Sequence, residues 1–159
     1  MDITFSADGL RFNYRAAAIL VCEGRLLVLR DDFCAYAYLP GGRVHAGETA
    51  EAAVLRELRE ELGIDAQIER PLWINQAFFT EQASGKRYHE LCFYYLIDFS
   101  KTDLLARGDS FEYLEGGNQR MRFEWLTFDA LETANFQPRF LKTAVRHLPD
   151  SVQMLTNYD

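Results

Sequence analysis

Cysteine is scarce in this chain of 159 residues: Cys22, Cys34 and Cys92 are scattered and odd in number. They show neither the spacing of a metal site nor the density of a disulfide framework, so reduced, buried thiols in a cytoplasmic protein are expected. Also lacking is any apolar run of membrane-spanning length, which argues against a membrane partner. The opening stretch MDITFSADGLRF has no basic region leading into an apolar one, so no secretory leader is expected. Positive charge is short as well: 17 Lys and Arg against 24 Asp and Glu give a net charge of −7. An extended nucleic acid, which needs a basic stripe, is therefore not the expected partner. A phosphorylated small molecule stays open, because a bound cation can invert the local field. Internal repeats and low-complexity segments are absent.

What is present suits one globular domain over residues 1–159. Hydrophobic residues make up 48% and aromatics 14%, ample for a core. Residues 12–21 read as a strand whose unbroken apolar run from Ala16 to Val21 suits burial on both faces. The turn Glu23-Gly24-Arg25 then predicts a hairpin with a strand over 26–30. Tyr36 to Leu39 reads as a short strand feeding the turn Pro40-Gly41-Gly42. Beyond residue 64, Ala66 to Ile68 reads as a short strand, Pro71 as a break, and 73–80 and 88–99 as two long strands joined by a polar hairpin over 81–86. In the second of these, Leu91, Phe93, Tyr95 and Ile97 share one face, and Glu90, Cys92, Tyr94 and Leu96 the other. Residues 100–122, with Gly108, Gly116 and Gly117, read as a long loop, and Met121 to Leu126 as a final strand. One helical turn is expected near Asp129 to Thr133. A helix from Pro138 to about His147 is expected to bury Phe140, Leu141, Ala144, Val145 and Leu148, followed by a loose tail. Irregular alternation of strands and helices gives an α/β or α+β class with a mixed sheet.

The most informative stretch is Gly42 to Ile64, GRVHAGETAEAAVLRELREELGI. Thr49 suits an N-cap with Glu51 in the first turn, and Gly63 a left-handed C′ position with Ile64 folding back on Leu58. Glu57, Glu60 and Glu61 recur at i, i+3, i+4 and so share a helix face, roughly opposite Leu55, Leu58 and Leu62. Like charges at i, i+4, placed at the negative end of the helix dipole, are unfavourable alone. Such an arrangement suits something positive held there, and Mg²⁺ or Mn²⁺ prefer carboxylate oxygens.

These residues match the pattern G-x5-E-x7-R-E-U-x-E-E-x-G-U, with U aliphatic, at Gly42, Glu48, Arg56, Glu57, Leu58, Glu60, Glu61, Gly63 and Ile64, without a gap or substitution. A chance match falls below about 10⁻⁹ per start position at ordinary residue usage. In this the chain resembles the Nudix hydrolase family. The resemblance implies a three-layer α/β/α sandwich around a mixed β-sheet. It also implies hydrolysis of a nucleoside diphosphate linked to another moiety, by attack of water on phosphorus with Mg²⁺ or Mn²⁺ bound. By the same resemblance Glu57, Glu60 and Glu61 are metal ligands and Gly42 adds its carbonyl. Glu48 is a supporting or water-mediated contact, and Arg56 orients the carboxylates. Many relatives form dimers, so a homodimer is left open.

Outside the box the residues leave alternatives. Glu115 and Glu90 are candidates for the general base, with His89 beside the latter. Phe12, Tyr14, Tyr36, Tyr38, Phe78 and Phe79 are candidates for stacking on a base, and Arg15, Arg43, Lys86 and Arg87 for phosphates; each has an ordinary packing or surface role as its rival. The rival functional reading is a Nudix-fold module that senses a nucleotide without cleaving it, which loss of box glutamates would favour. A prenyl diphosphate isomerase of this fold would need a catalytic cysteine, and the sequence does not place Cys34 or Cys92 in a pocket.

Overall fold

The structure is a computed structural model that describes residues 1–116 and 119–158. The chain runs through β1 (Thr4–Ala7), β2 (Leu10–Ile19), β3 (Val21–Cys22), β4 (Arg25–Arg30) and β5 (Gly41–Arg43) into α1 (Ala50–Leu62). Then come β6 (Gln67–Thr80), β7 (Arg87–Asp98), a 3-10 turn (Leu104–Arg107), β8 (Ser110–Glu115), β9 (Gln119–Thr127), α2 (Phe128–Thr133), α3 (Leu141–Ala144) and β10 (Gln153–Tyr158). A larger mixed sheet has the order β1-β2-β7-β6-β10, with β5 also on β2; a smaller one has the order β3-β4-β9-β8.

Two apolar layers sandwich these sheets. Ala53, Val54, Leu58 and Leu62 of α1 pack with Ala16, Ala18, Leu27, Leu29, Tyr95 and Phe123. On the opposite face Leu131 and Leu141, from α2 and α3, pack with Ala17, Ile19, Leu26, Val28, Tyr94 and Leu96. The unbroken apolar runs in β2 and β4 thus feed both layers, as strands covered on two sides must. The division of β7 into two faces is as the alternation predicts.

Several connections differ from the sequence reading. The strand over 12–21 does not pair as a hairpin with 26–30. Both edges of β2 are already taken, by β7 on one side and by β1 and β5 on the other, so the chain breaks at Leu20 and only Val21–Cys22 pairs with β4. Tyr36 to Leu39 is not a strand but forms two isolated bridges, Tyr38 with Leu29 and Ala37 with Phe136. The glycine turn is itself extended and lies on β2. The expected break at Pro71 is absorbed by register shifts within one long strand, β6, which begins at Gln67.

The long loop over 100–122 contains the 3-10 turn and β8, which pairs with β9. Its polar composition hid an alternation in which Phe111 and Tyr113 turn inward while Glu112 and Leu114 stay exposed. Gly117 lies outside the described residues. The helix expected from Pro138 to about His147 is regular only over Leu141–Ala144, although Phe140, Leu141, Ala144, Val145 and Leu148 all join the second core layer as expected. The tail is not loose: β10 lies parallel on β6. Its side chains are mostly exposed, so backbone hydrogen bonds hold it and composition gives no sign of it.

The ends of α1 follow the local chemistry. The Thr49 side chain accepts a hydrogen bond from the Ala52 amide, and Gly63 at φ 64° closes the helix with its amide on the Arg59 carbonyl. A Cβ at Gly63 would also lie 2.6 Å from Tyr113 Oη. Gly63→Ala should therefore destabilise the fold by at least about 1–2 kcal/mol, the cost of a left-handed L-residue, with the clash adding to it; chemical denaturation checks this.

Candidate active site

A cavity of about 400 Å³ opens on the face of the larger sheet that carries Ala17, Cys92 and Tyr94. It is lined by Glu57 and Glu61 of α1, Gly41 of β5, Glu115 of β8, Arg15 of β2 and Glu90 of β7.

Glu61 is the most unusual of these side chains. It is 3% exposed, buried among the apolar residues of α1. Counting only leucines places it opposite the core. Ala50, Ala53 and Val54 are buried too, and they extend the buried arc of the helix underneath it. One Glu61 oxygen accepts from the Gly41 amide at 3.1 Å, while Oε2 is buried without a partner among the described residues. Burial first, and then the adjacent Glu57 carboxylate, push the Glu61 carboxyl well above its ordinary range; the Gly41 amide draws it partly back. Glu115 is raised too, by burial and then by Glu57 and Glu60.

Arg56 organises the rest of the box. Its guanidinium donates to both Glu48 oxygens at 2.8 and 2.9 Å, to Glu57 Oε1 at 2.9 Å, to Glu60 at 3.3 Å and to the Arg43 carbonyl at 3.0 Å. Glu48 also takes the His45 amide, and the Arg56 bond holds its carboxyl down to about 2. Glu48 is thus spent on Arg56 and the His45 amide, and it is not among the residues lining the cavity. Glu60, exposed and bonded to Arg56, is not among the residues lining the cavity. A Cβ at Gly42 would sit 2.3 Å from Glu57 Oε1, so a side chain there would displace the Glu57 carboxylate.

A hard divalent cation suits this donor set. An orphaned buried carboxylate oxygen, a second carboxylate against it and a third within electrostatic reach are what such an ion neutralises. Among the described residues no three acidic, histidine or cysteine side chains stand together at metal-binding separation, so the third ligand is not pre-positioned.

Of the residues nominated outside the box, Glu115 lies at the end of β8 rather than in a loop, and it reaches the cavity. Glu90 reaches the cavity from β7. His89 does not: it packs between Phe12 and Phe78 on the other sheet face. Tyr14 packs on Phe93 and Phe79 stacks on Tyr88, so among the six aromatic candidates only Tyr36 and Tyr38 line the cavity. Arg43 pairs with Asp2, and Lys86 and Arg87 are exposed beside the hairpin turn; Arg15 alone of the four basic candidates lines the cavity. Cys34 and Cys92 both reach it, but burial raises both thiols, Cys92 to about 12, and keeps them protonated.

Sequence reasoning missed Asp31. It accepts from the Phe33 and Cys34 amides at 2.7 and 2.8 Å and from the Tyr38 hydroxyl, pinning the segment that carries Tyr36 and Tyr38 over the cavity. Burial acts to raise the Asp31 carboxyl, but Tyr38, the two amides and Arg122 outweigh it. Asp31-Asp32 followed by an aromatic segment was the only signal available.

The NUDIX domain family model matches residues 12–144. The chain belongs to the Nudix family. A putative Nudix hydrolase 1 of Caenorhabditis elegans is 39% identical over 30% of this chain and 15% of its own length. An ADP-ribose pyrophosphatase of Methanocaldococcus jannaschii is 32% identical over 46% of this chain. The chain covers 41% of that second relative, so it matches less than half of either one. Among solved structures, a MutT protein of Bacillus halodurans superposes with a TM-score of 0.62 at 19% identity, covering 92% of this chain and 89% of that one. A UDP-X diphosphatase superposes with a TM-score of 0.60 at 20% identity, covering 90% of this chain and 66% of that one. The α/β Nudix fold expected from the sequence is the fold observed, and the box lies on the loop and helix that border the cavity.

Two predictions follow from the opposite shifts of Glu48 and Glu61. The Glu48 carboxyl is depressed, so its contribution is present above the unfolded value of about 4.3 and is lost as pH falls toward 2. Glu48→Gln should cost about 2–3 kcal/mol at neutral pH and flatten the acid limb of the stability curve. The Glu61 carboxyl is raised, so without metal its contribution is full below about 4.3 and disappears as pH rises through its folded value. In chelator at neutral pH, Glu61→Gln should melt above wild type, and Mg²⁺ should raise the melting temperature of wild type but not of the variant; scanning calorimetry reads both.

Proposed function

We propose that the protein is a metal-dependent pyrophosphohydrolase. In this reading it cleaves the diphosphate linkage of a nucleoside diphosphate joined to another moiety, by attack of water on phosphorus. The observation that carries this is buried Glu61 beside the half-buried Glu57 on the cavity wall, with Glu61 Oε2 left without a partner among the described residues inside an intact Nudix box. A sensing module would not need to keep all of the box glutamates. The M. jannaschii relative, an ADP-ribose pyrophosphatase, supports a nucleoside diphosphate derivative as substrate.

In this reading Glu57 and Glu61 hold Mg²⁺ or Mn²⁺, with Glu60, Glu115 or the Gly42 carbonyl completing the set. The bound ion would offset the negative charge of the phosphoanhydride and lower the pKa of a bound water. Arg56 fixes Glu57 by a charge-assisted bond and keeps its second oxygen free to turn toward the cavity. Burial of Glu61 makes its carboxylate hungry for a cation and excludes water from that side. Glu115, with its carboxyl raised by burial and by its acidic neighbours, is a stronger base than an ordinary carboxylate and is suited to accept a proton from the attacking water. Gly41 contributes its amide to Glu61 and no side chain, which leaves the floor of the cavity open. Residues 1–159 act here as one domain. The three free thiols accord with a cytoplasmic enzyme, working alone or as a homodimer. Among the described residues no helix is long and apolar enough to cross a membrane.

The test is a panel of nucleoside diphosphate derivatives incubated with Mg²⁺ or Mn²⁺, with products identified by mass. At least one should be cleaved at its diphosphate. Glu57→Gln and Glu61→Gln should each lower kcat by two or more orders of magnitude while the far-ultraviolet spectrum stays unchanged. Tight binding of one member without turnover would replace this reading with the sensing module. Asp31→Asn, which loosens the Tyr36–Tyr38 segment without touching the acidic end, should raise KM about 10-fold and change kcat less.

A further inference from the structure

A free strand edge presents unpaired N–H and C=O groups to any chain that can add a strand, and proteins ordinarily blunt it with charge, proline, a bulge or short length. Most margins of the two sheets are blunted in this way. β3 has two residues, and β5 has three and ends in Arg43. β1 has four, flanked in sequence by Asp2 and Asp8. β8 carries Glu112 and Glu115. β10 differs from all of these. It ends the larger sheet, pairs with β6 over six residues in unbroken register, and contains neither a charged residue nor a proline. The chain is 26% charged, yet Ser151 to Tyr158 carries no ionisable acid or base of that kind.

The side chains of β10 divide by face. Leu155 packs against the second core layer, and the Asn157 amide donates to Asn75 at 2.6 Å. Met154, Thr156 and Tyr158 point the other way and are exposed, Met154 at 71% and Tyr158 at 78%. Val152, Met154 and Tyr158 are three of the nine exposed large apolar residues, and they fall within seven consecutive positions. The apolar surface continues across the sheet: Tyr158 stacks on Phe78, and the row runs on through His89 and Phe12 to Phe5. Open backbone groups along the edge and apolar side chains beside it call for the same occupant, another strand.

A second copy of β10 fits this edge. A two-fold axis normal to the sheet sets the strand antiparallel to itself and keeps like faces on one side. Residues directly opposite must share a face, so the axis passes through a residue position. With Thr156 on the axis, Thr156 meets its own counterpart, and Met154 meets Tyr158 of the second copy on either side, all favourable cross-strand pairs. An ionised side chain near the axis would stand close to its own copy, and β10 has none. The contact closes at two copies, whereas β1 laid on β10 would run on into an open fibre. We infer that the protein self-associates through β10, with Thr156 at the two-fold axis, joining the larger sheets of two copies into one. The inference stands apart from the hydrolase reading, since no residue of β10 lines the cavity.

Sedimentation equilibrium of the full chain tests it. A strand pair about 20 Å long belongs to the weak end of specific interfaces, so a dissociation constant on the order of 10–100 µM is expected. Thr156→Lys, which sets two ammonium groups against each other at the axis, should weaken dimerisation at least about 10-fold. Its melting temperature in dilute solution should match wild type, because Thr156 is exposed. Thr156→Cys should form an intermolecular disulfide on mild oxidation, since opposed Cα atoms in an antiparallel pair lie about 4.5–5.5 Å apart, within the reach of one. Wild type, whose thiols are buried or half-buried, should not cross-link. A monomer at concentrations well above that constant overturns the inference. So do growing polymers, a dimer that Thr156→Lys leaves intact, and a dimer that Thr156→Cys does not cross-link. If Thr156→Lys fails to fold, the cross-link decides alone.

Discussion

A carboxylate held out of water is the constraint on which the site depends. Glu61 is anchored on one oxygen by the Gly41 amide and left without a partner among the described residues on the other, with Glu57 against it. Such a group costs free energy in a fold unless it meets a cation or a proton. The neighbouring features serve to hold it there. The extended glycine segment of β5 brings an amide to it, Gly42 leaves room for Glu57, and Arg56 fixes Glu57 from the solvent side. The two-sided core then fixes α1 over β5, so none of these groups can relax away.

Charges of both signs line the cavity. Carboxylates from α1 and β8 share it with Arg15 of β2, and Ala17 and Gly41 add almost no side chain to its wall. An anion cannot approach bare carboxylates, so the acidic cluster calls for a cation first. The segment pinned by Asp31 adds Tyr36 and Tyr38 as one wall, and it can be loosened without disturbing the acidic end.

Much of the box was legible because its determinants are local. The Thr49 cap, the Gly63 stop and the spacing of Glu57, Glu60 and Glu61 each depend on residues within a few positions of one another, and each appears as the sequence implies. The faces of β7 were legible for the same reason. The failures share a different cause. The false hairpin of residues 12–30, the overlooked β8 and the misjudged tail all turn on which strand edge is free, and this depends on partners tens of residues away. His89 and Arg15 looked alike on paper, two isolated polar residues in strands. Their opposite fates follow from the sheet face each one occupies.

The sequence by itself determined a capped acidic helix behind a glycine turn, and with it the family, because hydrogen-bonding and dihedral preferences act over one or two turns of chain. Tertiary structure alone decided that Glu61 is buried rather than solvated, and that Glu115, Glu90 and Arg15 line one cavity with it. Those outcomes come from the packing of two sheets and from the register of β2 with β5 and β7. Desolvation and long-range charge act through space, and linear order does not encode distance in space.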